Sequence, residues 1–207
     1  MAASQPVAPR YVSLEGIEGA GKSTVARALV TRLEAAGVPV VAVREPGGTP
    51  SGERIRDILL DGATHLEPWA EALLFAAARS ELAAEVVAPA LASGSWVVSD
   101  RSVYSSLAYQ GAGRGLGIAA VRRVNAAGLG DVWPDTVVLL RVPAATGLER
   151  QDIADRIGAE GAEFQSRVAA AFDELATAEP DRHIIVDADR PLDDVVDDAA
   201  AALGIEP

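Results

Sequence analysis

Short apolar runs alternate along the chain with longer segments in which apolar residues recur every three or four positions. Because the short runs are apolar at nearly every residue, we expect strands of a parallel sheet that is covered on both faces. These predicted strands are residues 11–15, 38–43, 95–99, 136–140 and 183–186. A sheet of this kind is the expected centre of the fold.

Helical periodicity fills the segments between the predicted strands. An alanine-rich helix is expected to end or bend near Pro89, because proline lacks the N–H that an interior helical position donates. Residues 111–117 are glycine-rich and predict a loop. The predicted helices are residues 22–36, 51–60, 68–93, 117–128, 162–178 and 191–203.

The alternation of strands and helices continues without an internal repeat or a linker. It predicts an α/β fold, a three-layer sandwich in which helices flank a five-stranded parallel sheet. We expect one domain over residues 11–207, preceded by a flexible lead-in over residues 1–10. The charged segment 147–161 has no clear apolar period, so it predicts a mobile lid.

Composition narrows the class of protein further. A chain of 207 residues is long enough for one well-formed core. The formal net charge of -12 argues against a broad nucleic-acid surface or an anionic membrane as partner. The absence of cysteine excludes disulfides and thiolate metal sites. With neither a signal-peptide pattern nor an apolar run of ~20 residues, a cytoplasmic protein is expected.

The segment from Gly16 to Ser23 has the spacing of a phosphate-binding P-loop, G-x-x-x-x-G-K-[ST]. Its glycines, among them Gly19 and Gly21, allow the tight turns through which backbone N–H groups reach phosphate oxygens. Lys22 supplies a positive charge to the β- and γ-phosphates, and the hydroxyl of Ser23 can reach Mg²⁺. The motif predicts a nucleoside triphosphate site at the start of the first helix.

Two further segments are predicted at the same edge of the sheet. Residues 44–49 follow the second strand, and Asp100 ends the third strand beside Arg101, where a Walker-B carboxylate holds Mg²⁺. Phe75 and Arg79 lie four residues apart on a helix and could hold a planar base by its face and edge. Taken singly, each feature is also compatible with a surface turn, a salt bridge or ordinary packing.

Taken together, these segments resemble the bacterial thymidylate kinase family over nearly the whole chain from Tyr11 onward. The order of an Arg-Glu-Pro-Gly-Gly-Thr block, an Asp-Arg pair and an Ala-Tyr-Gln block makes the resemblance specific. The matching blocks are Leu14–Thr24, Arg44–Thr49, Glu71–Phe75 with Arg79, Asp100–Arg101, Ser105–Ser106, Ala108–Gln110 and Glu163–Val168.

The resemblance implies a kinase that transfers the γ-phosphoryl group of ATP to dTMP, with Mg²⁺, and so serves dTTP biosynthesis. It also implies a five-stranded parallel sheet, a flexible lid and a homodimer. The only partners it implies besides a second copy are ATP and dTMP. The reaction needs no strong general base, because the acceptor is already a phosphate oxyanion, so neither His65 nor His183 is expected to act.

Carried over residue by residue, the resemblance also assigns the site. The ATP phosphates would contact Gly16, Ile17, Glu18, Gly19, Ala20, Gly21, Lys22, Ser23 and Thr24, and the metal would contact Ser23 and Asp100. The dTMP site would comprise Glu18, Arg56, Phe75, Arg79, Arg101, Ser105, Ser106, Tyr109 and Gln110. The catalytic residues would be Lys22, Arg101 and Glu18, with Arg150 and Arg156 supplied by the lid.

Two departures from the family pattern affect what the resemblance implies. The residue after Arg101 is usually aromatic and is Ser102 here. The lid is several residues shorter than usual, and a second arginine expected between Arg150 and Arg156 is missing. Low turnover or altered lid chemistry is therefore a possible outcome. The alternatives are a P-loop kinase for another nucleotide or nucleoside, and a non-catalytic nucleotide-binding regulator.

Overall fold

The computed structural model describes residues 10–150, 156–157 and 160–205. Within these residues, five parallel strands form one sheet in the order β2-β3-β1-β4-β5. The predicted five-stranded parallel sheet is therefore confirmed. The strands are β1 Tyr11–Glu15, β2 Val40–Arg44, β3 Trp96–Asp100, β4 Thr136–Arg141 and β5 His183–Asp187.

Helices cover both faces of the sheet, as the apolar strands require. The described ranges contain no helix with the length and apolar character that a membrane crossing needs. The α-helices are α1 Lys22–Ala35, α2 Pro50–Leu60, α3 Pro68–Leu82, α4 Ala88–Ala92, α5 Val103–Ser106, α6 Ile118–Leu129, α7 Ala144–Glu149, α8 Ala162–Ala178 and α9 Leu192–Leu203. Two π-helices lie at Ala83–Val87 and Leu107–Gly113.

The core is centred on β1, which lies between β3 and β4. Every residue of β1 is buried, and Val12 and Leu14 are fully so. Helix α1 packs against β1, β2 and β3 and also contacts α9. Helix α8 packs against β4 and β5. The polar residues of this buried strand, Ser13 and Glu15, therefore need partners inside the fold, and both are hydrogen-bonded to Ser102.

The bend predicted near Pro89 is a π-turn that begins upstream of it. The N–H of Ala88 bonds to the carbonyl oxygen of Ala83, five residues back, so α3 and α4 are joined by the π-helix Ala83–Val87. A proline ring clashes with the carbonyl four residues before it, and a wider turn at this point relieves that clash.

The predicted loop over residues 111–117 is wrong in its first part, because the π-helix extends to Gly113. Gly111 and Gly113, which lie in this π-helix, allow close packing against neighbouring helices. A Cβ atom at Gly113 would lie 2.8 Å from Cε2 of Phe164 in α8, and one at Gly111 would lie 3.0 Å from Cα of Ile118 in α6. Sequence rules interpret such glycines as helix breakers because they do not include the packing partner.

The segment predicted as a mobile lid is only partly described. Its first residues belong to α7, which ends at Glu149, whereas residues 151–155 and 158–159 lie outside the described residues. The mobility of the lid thus stays a prediction. The start of the segment contacts the P-loop, since a Cβ atom at Gly19 would lie 2.0 Å from the carbonyl oxygen of Gly147.

Candidate active site

A cavity of about 320 Å³ opens at the carboxyl ends of β1, β2 and β3. This is the edge at which ligands bind in open α/β sheets. It joins the P-loop to the residues predicted for the acceptor nucleotide. The predicted site residues that line it are Glu18, Gly19, Gly21, Lys22, Ser23, Thr24, Arg56, Phe75, Asp100, Arg101, Ser105, Ser106, Tyr109 and Gln110.

The P-loop wraps around the buried amine of Lys22. Its Nζ atom donates to the carbonyl oxygen of Ile17 at 2.7 Å and lies 3.9 Å from Glu18 Oε2. Burial and the nearby Arg101 together lower the pKa of Lys22 to about 8. Gly16 has φ of 139°, and a Cβ atom there would lie 2.5 Å from the carbonyl oxygen of Leu140. Only glycine fits this turn.

The two predicted metal ligands meet at the mouth of the P-loop. Ser23 Oγ donates to Asp100 Oδ2 at 2.5 Å. A hydroxyl and a carboxylate are oxygen ligands of the kind that Mg²⁺ prefers, and Mg²⁺ commonly takes its remaining ligands from nucleotide phosphates and water. Among the residues that the structure describes, no group of three or more His, Cys, Asp or Glu side chains could hold a metal ion. Ser23 and Asp100 thus offer two oxygen ligands that fit Mg²⁺.

Arg101 is one of the cations that line the cavity. Its φ of 72° is the only positive value found at a non-glycine residue in the described ranges. The guanidinium forms an ion pair with Glu18, donates to Ser105 Oγ at 3.1 Å and stacks 5.1 Å from the ring centroid of Tyr109. Burial alone would raise the pKa of Glu18, but attraction to Arg101 and Lys22 holds this pKa below its usual value. The acid in the P-loop is therefore ionised beside two cations.

A pocket with aromatic walls and polar ends continues from Arg101. Phe75 and Tyr109 supply the aromatic surface, and both side chains are more than nine-tenths buried. The hydroxyl of Ser106 is buried and has no hydrogen-bond partner among the described residues. Gln110 Nε2 donates to Glu71 Oε1 at 2.8 Å. An unsatisfied buried hydroxyl beside an aromatic face suits a planar ligand with a polar edge.

Arg79, which the resemblance assigns to the edge of the base, does not line this cavity. Its guanidinium is buried, with the side chain only 3% exposed, and donates to Glu45 Oε2 at 2.5 Å. It also donates to Asn125 Oδ1 at 2.5 Å and to the Ser102 carbonyl at 3.3 Å. Burial raises the pKa of Glu45 to about 7, and Arg79 opposes that rise. The pairing with Glu45 holds the guanidinium behind the pocket rather than in its wall.

Comparison with known proteins decides the family. A protein-family model described as thymidylate kinase matches residues 14–199. The chain belongs to the thymidylate kinase family. It is 45% identical over 196 residues to the thymidylate kinase of Deinococcus radiodurans, covering 93% of this chain and 95% of that protein. It is 45% identical over 191 residues to that of Thermomicrobium roseum, with 90% of each chain covered.

A solved structure carries the same family name. The crystal structure of thymidylate kinase from Ehrlichia chaffeensis matches with a TM-score of 0.78 at 29% identity and covers 95% of this chain and 99% of that one. The fold prediction of a P-loop kinase is confirmed by this match. Family membership makes the protein a nucleoside monophosphate kinase, a phosphotransferase.

The two arginines that the thymidylate kinase pattern assigns to the lid do not reach the cavity. Arg150 donates to the carbonyl of Ala188 at 3.0 Å and to Asp189 Oδ1 at 3.1 Å. Arg156 donates to Glu71 Oε2 at 2.7 Å and to the carbonyl of Leu59 at 2.9 Å. Each guanidinium is paired with nearby oxygen acceptors, because charge-assisted hydrogen bonds are favourable.

Three carboxylates that support this thymidylate kinase site were missed by sequence reasoning. Glu15 is fully buried and accepts from Ser102 and Ser105. Glu45 pairs with Arg79, and Glu71 accepts from Gln110 and two arginines, Arg114 and Arg156. Glu15 ends a buried strand, Glu45 directly follows β2, and Glu71 lies in an alanine-rich helix. That placement was a signal, because a carboxylate there must find donors inside the fold.

Proposed function

We propose that this protein transfers the γ-phosphoryl group of Mg-ATP to dTMP, giving dTDP and ADP. The observation that carries the proposal is that Lys22, Arg101 and Phe75 all line the same cavity. A donor triphosphate on the P-loop and an acceptor phosphate at Arg101 would lie adjacent, with the acceptor base against Phe75. Proximity of this kind supplies a large part of the catalysis in phosphoryl transfer.

The donor half of the site consists of the P-loop and the start of α1. The backbone from Gly16 to Thr24 would cradle the phosphates of ATP, with the amine of Lys22 against the β- and γ-phosphates. Ser23 and Asp100 would hold Mg²⁺ together with phosphate oxygens. When bound, this ion supplies neutralisation of the charge that develops during transfer.

The acceptor half continues from Arg101 towards Gln110. Arg101 and Arg56 would hold the dTMP phosphate, and Arg56 is fixed by donating to the carbonyl of Pro46 at 2.7 Å. Phe75 would stack on thymine, with the hydroxyl of Ser106 at its polar edge. The remaining contacts would come from Glu18 and Ser105 near the phosphate and sugar, and from Tyr109 and Gln110 along the deoxyribose side.

Catalysis in this proposal is alignment and charge neutralisation. The acceptor oxygen already carries a negative charge, so no side chain has to remove a proton. Lys22, Arg101 and Glu18 organise the centre of the cavity, and Arg150 or Arg156 would reach the transferring group only after exchanging its present partner.

The decisive experiment is ADP release from Mg-ATP with dTMP, dUMP, dCMP, dGMP or AMP as acceptor, with the diphosphate product identified by chromatography. We expect a clear preference for dTMP and formation of dTDP. Preference for another acceptor would support a kinase activity but contradict the assignment of the base pocket to thymine. Measurable ATP binding without transfer to any acceptor would favour a non-catalytic regulator.

A homodimer and a cytoplasmic location belong to the same proposal. In support of the dimer, Ile58, Trp69 and Leu73 are exposed by 44%, 41% and 53% on helices α2 and α3, which pack against each other. Large apolar side chains on neighbouring helices suit a protein interface. Light scattering coupled to size exclusion should give twice the chain mass of 21.4 kDa, and Leu73→Lys should lower that value. A monomer for the unmodified protein would contradict the dimer.

A further inference from the structure

Glu15 is a fully buried carboxylate at the boundary between β1 and the P-loop. Its exposed fraction is 0%, and the next residue is Gly16. It accepts from the backbone N–H and the hydroxyl of Ser102, both at 2.7 Å, and from the N–H and the hydroxyl of Ser105 at 3.3 Å and 2.6 Å. All these donors are neutral and come from the segment that carries Arg101. The sequence resemblance assigns no role to this carboxylate.

We propose that Glu15 is a positioning residue that fixes Arg101 for the acceptor phosphate. The inference rests on the proposed kinase function and concerns how the acceptor half of that site is built. The backbone of Arg101 is held in a left-handed conformation by hydrogen bonds on either side. The Arg101 N–H donates to the carbonyl of Leu14 at 3.1 Å, and the next N–H, that of Ser102, donates to Glu15 Oε1. Two consecutive residues of β1 thus maintain a conformation that non-glycine residues rarely adopt.

The side chain of Arg101 is oriented through a relay. A serine hydroxyl has one hydrogen to donate and lone pairs with which to accept. Because Ser105 Oγ donates its hydrogen to Glu15 Oε2, it presents a lone pair to Arg101 Nη1 at 3.1 Å. If Glu15 did not accept that hydrogen, the hydroxyl could turn and present its hydrogen to the cation. The carboxylate therefore sets the direction of a hydrogen bond that it does not itself make.

The departure from the family pattern at position 102 has a role in the same cluster. The hydroxyl of Ser102 is fully buried, lies 2.7 Å from Glu15 Oε1 and accepts from the N–H of Tyr104 at 3.3 Å at the start of α5. A single small residue thus serves the carboxylate through both its backbone and its side chain. The hydroxyl donor exists because this chain has serine at a position where the family usually has an aromatic residue.

The test is the steady-state kinetics of Glu15→Gln with dTMP and ATP varied separately. An amide has only one oxygen acceptor and brings an NH₂ group against the serine donors, so the relay to Arg101 should be lost. We expect the KM for dTMP to rise by about tenfold or more, because a hydrogen-bonded charged group loses its alignment. The KM for ATP should change by less than about threefold, since Lys22 does not contact Glu15 through a hydrogen bond.

A matched control is Glu179→Gln. Glu179 accepts from the hydroxyl of Tyr104 at 2.6 Å and therefore also anchors α5, but it touches neither Arg101 nor the cavity. Both KM values should stay within about twofold of the unmodified protein, since a distant hydrogen bond has no selective effect on one substrate. A similar rise in the KM for dTMP in both variants would show a general loosening of α5 and would overturn the positioning role.

Further variants keep the inference testable if Glu15→Gln does not fold. Ser102→Ala and Ser105→Ala each remove one hydroxyl from the carboxylate, and each should raise the KM for dTMP selectively. Ser102→Thr keeps a hydroxyl at this position, so its KM for dTMP should be much closer to that of the unmodified protein than the KM of Ser102→Ala. An unchanged KM for dTMP in a folded Glu15→Gln, or an equal rise for both substrates, would contradict the inference. Failure of the unmodified protein to phosphorylate dTMP would instead contradict the proposed function.

Discussion

In the proposed reaction, arginines come from two segments: the acceptor loop, residues 101–102 between β3 and α5, and the lid. The structure holds these arginines in different ways. Arg101 in the acceptor loop is only 16% exposed, lines the cavity and is held through Glu18 and Ser105. Arg150 at the start of the lid is 40% exposed and is paired with Asp189 outside the cavity. The first arginine is fixed where a phosphate would bind, and the second is held elsewhere.

This difference means that Arg101 is preorganised for a ligand, whereas a lid arginine would have to move to reach one. A buried network costs free energy to rearrange, so it can present a fixed charge to the substrate without reorganisation during the reaction. An exposed ion pair contributes ~0–1 kcal/mol, so its partners exchange readily. Recognition of the acceptor is thus built into the fold, whereas delivery of the lid arginine depends on a small free-energy difference.

The largest expected effect comes from removing the cation behind the acceptor loop. Arg79→Leu leaves Glu45 buried without its partner, so the free energy of unfolding should fall by about 3–5 kcal/mol in urea titrations. The exposed pair Arg141–Asp173 offers a control, and Arg141→Leu should cost less than about 1 kcal/mol. Unchanged stability in Arg79→Leu, with a raised KM for dTMP, would instead favour the base-edge role that the sequence predicted.

Loss of the P-loop amine should affect turnover strongly. Lys22→Ala is expected to lower kcat by about 10²- to 10³-fold, because a preorganised positive charge is lost at the transferring phosphate. Circular dichroism should show an intact fold. Lys22→Arg serves as a control for charge without the same geometry. A nearly normal rate in Lys22→Ala would contradict the phosphate role.

The stacking surface should affect one substrate more than the other. Phe75→Ala is expected to raise the KM for dTMP by about tenfold or more, because an aromatic face of the acceptor pocket is lost. The KM for ATP should hardly change. Leu73→Ala, on the exposed side of the same helix, is the control and should leave both values unchanged. Equal effects of Phe75→Ala on both substrates would show that the base binds elsewhere.

The smallest effect should come from the exposed lid pair. Asp189→Ala releases Arg150 and is expected to raise kcat by up to about fivefold, because the pair is worth no more than ~1 kcal/mol. Arg150→Ala removes the arginine itself and should lower kcat. The two variants must therefore act in opposite directions in single-turnover assays. Changes in the same direction would assign the role to Arg156 or to neither residue.

Features encoded by local patterns were predicted well from the sequence. The P-loop, the strand before it and the helix after it depend on neighbouring residues, and β1 occupies residues 11–15 as its apolar run indicated. Asp100 and Arg101 could be placed at the same edge because the carboxyl ends of parallel strands coincide. Family resemblance then supplied the identity of the acceptor, which no local pattern specifies.

Features that depend on distant partners were not predictable in this way. Arg79 has helical spacing from Phe75, but its direction is decided by Glu45, which lies 34 residues away in the chain. One π-helix lies just before Pro89 and the other ends at the closely packed Gly113, and neither has a sequence period of its own. The roles of Glu15 and Glu71 became clear only from the hydrogen-bond donors that the structure places beside them. In each case, the missing information was the identity of a non-local contact.

The π-helix Leu107–Gly113 has a consequence for how this pocket can change over time. A π-turn accommodates one residue more than an α-turn of similar height. Deletion of one residue within the segment would let it revert to an α-helix of similar height. The residues beyond the segment would then keep their places, while Tyr109 and Gln110 would change register relative to the cavity that they now line. Ser105 and Ser106, which precede the segment, would stay in place. Deletion of a single codon could therefore reshape the pocket in one evolutionary step, without any substitution elsewhere in the chain.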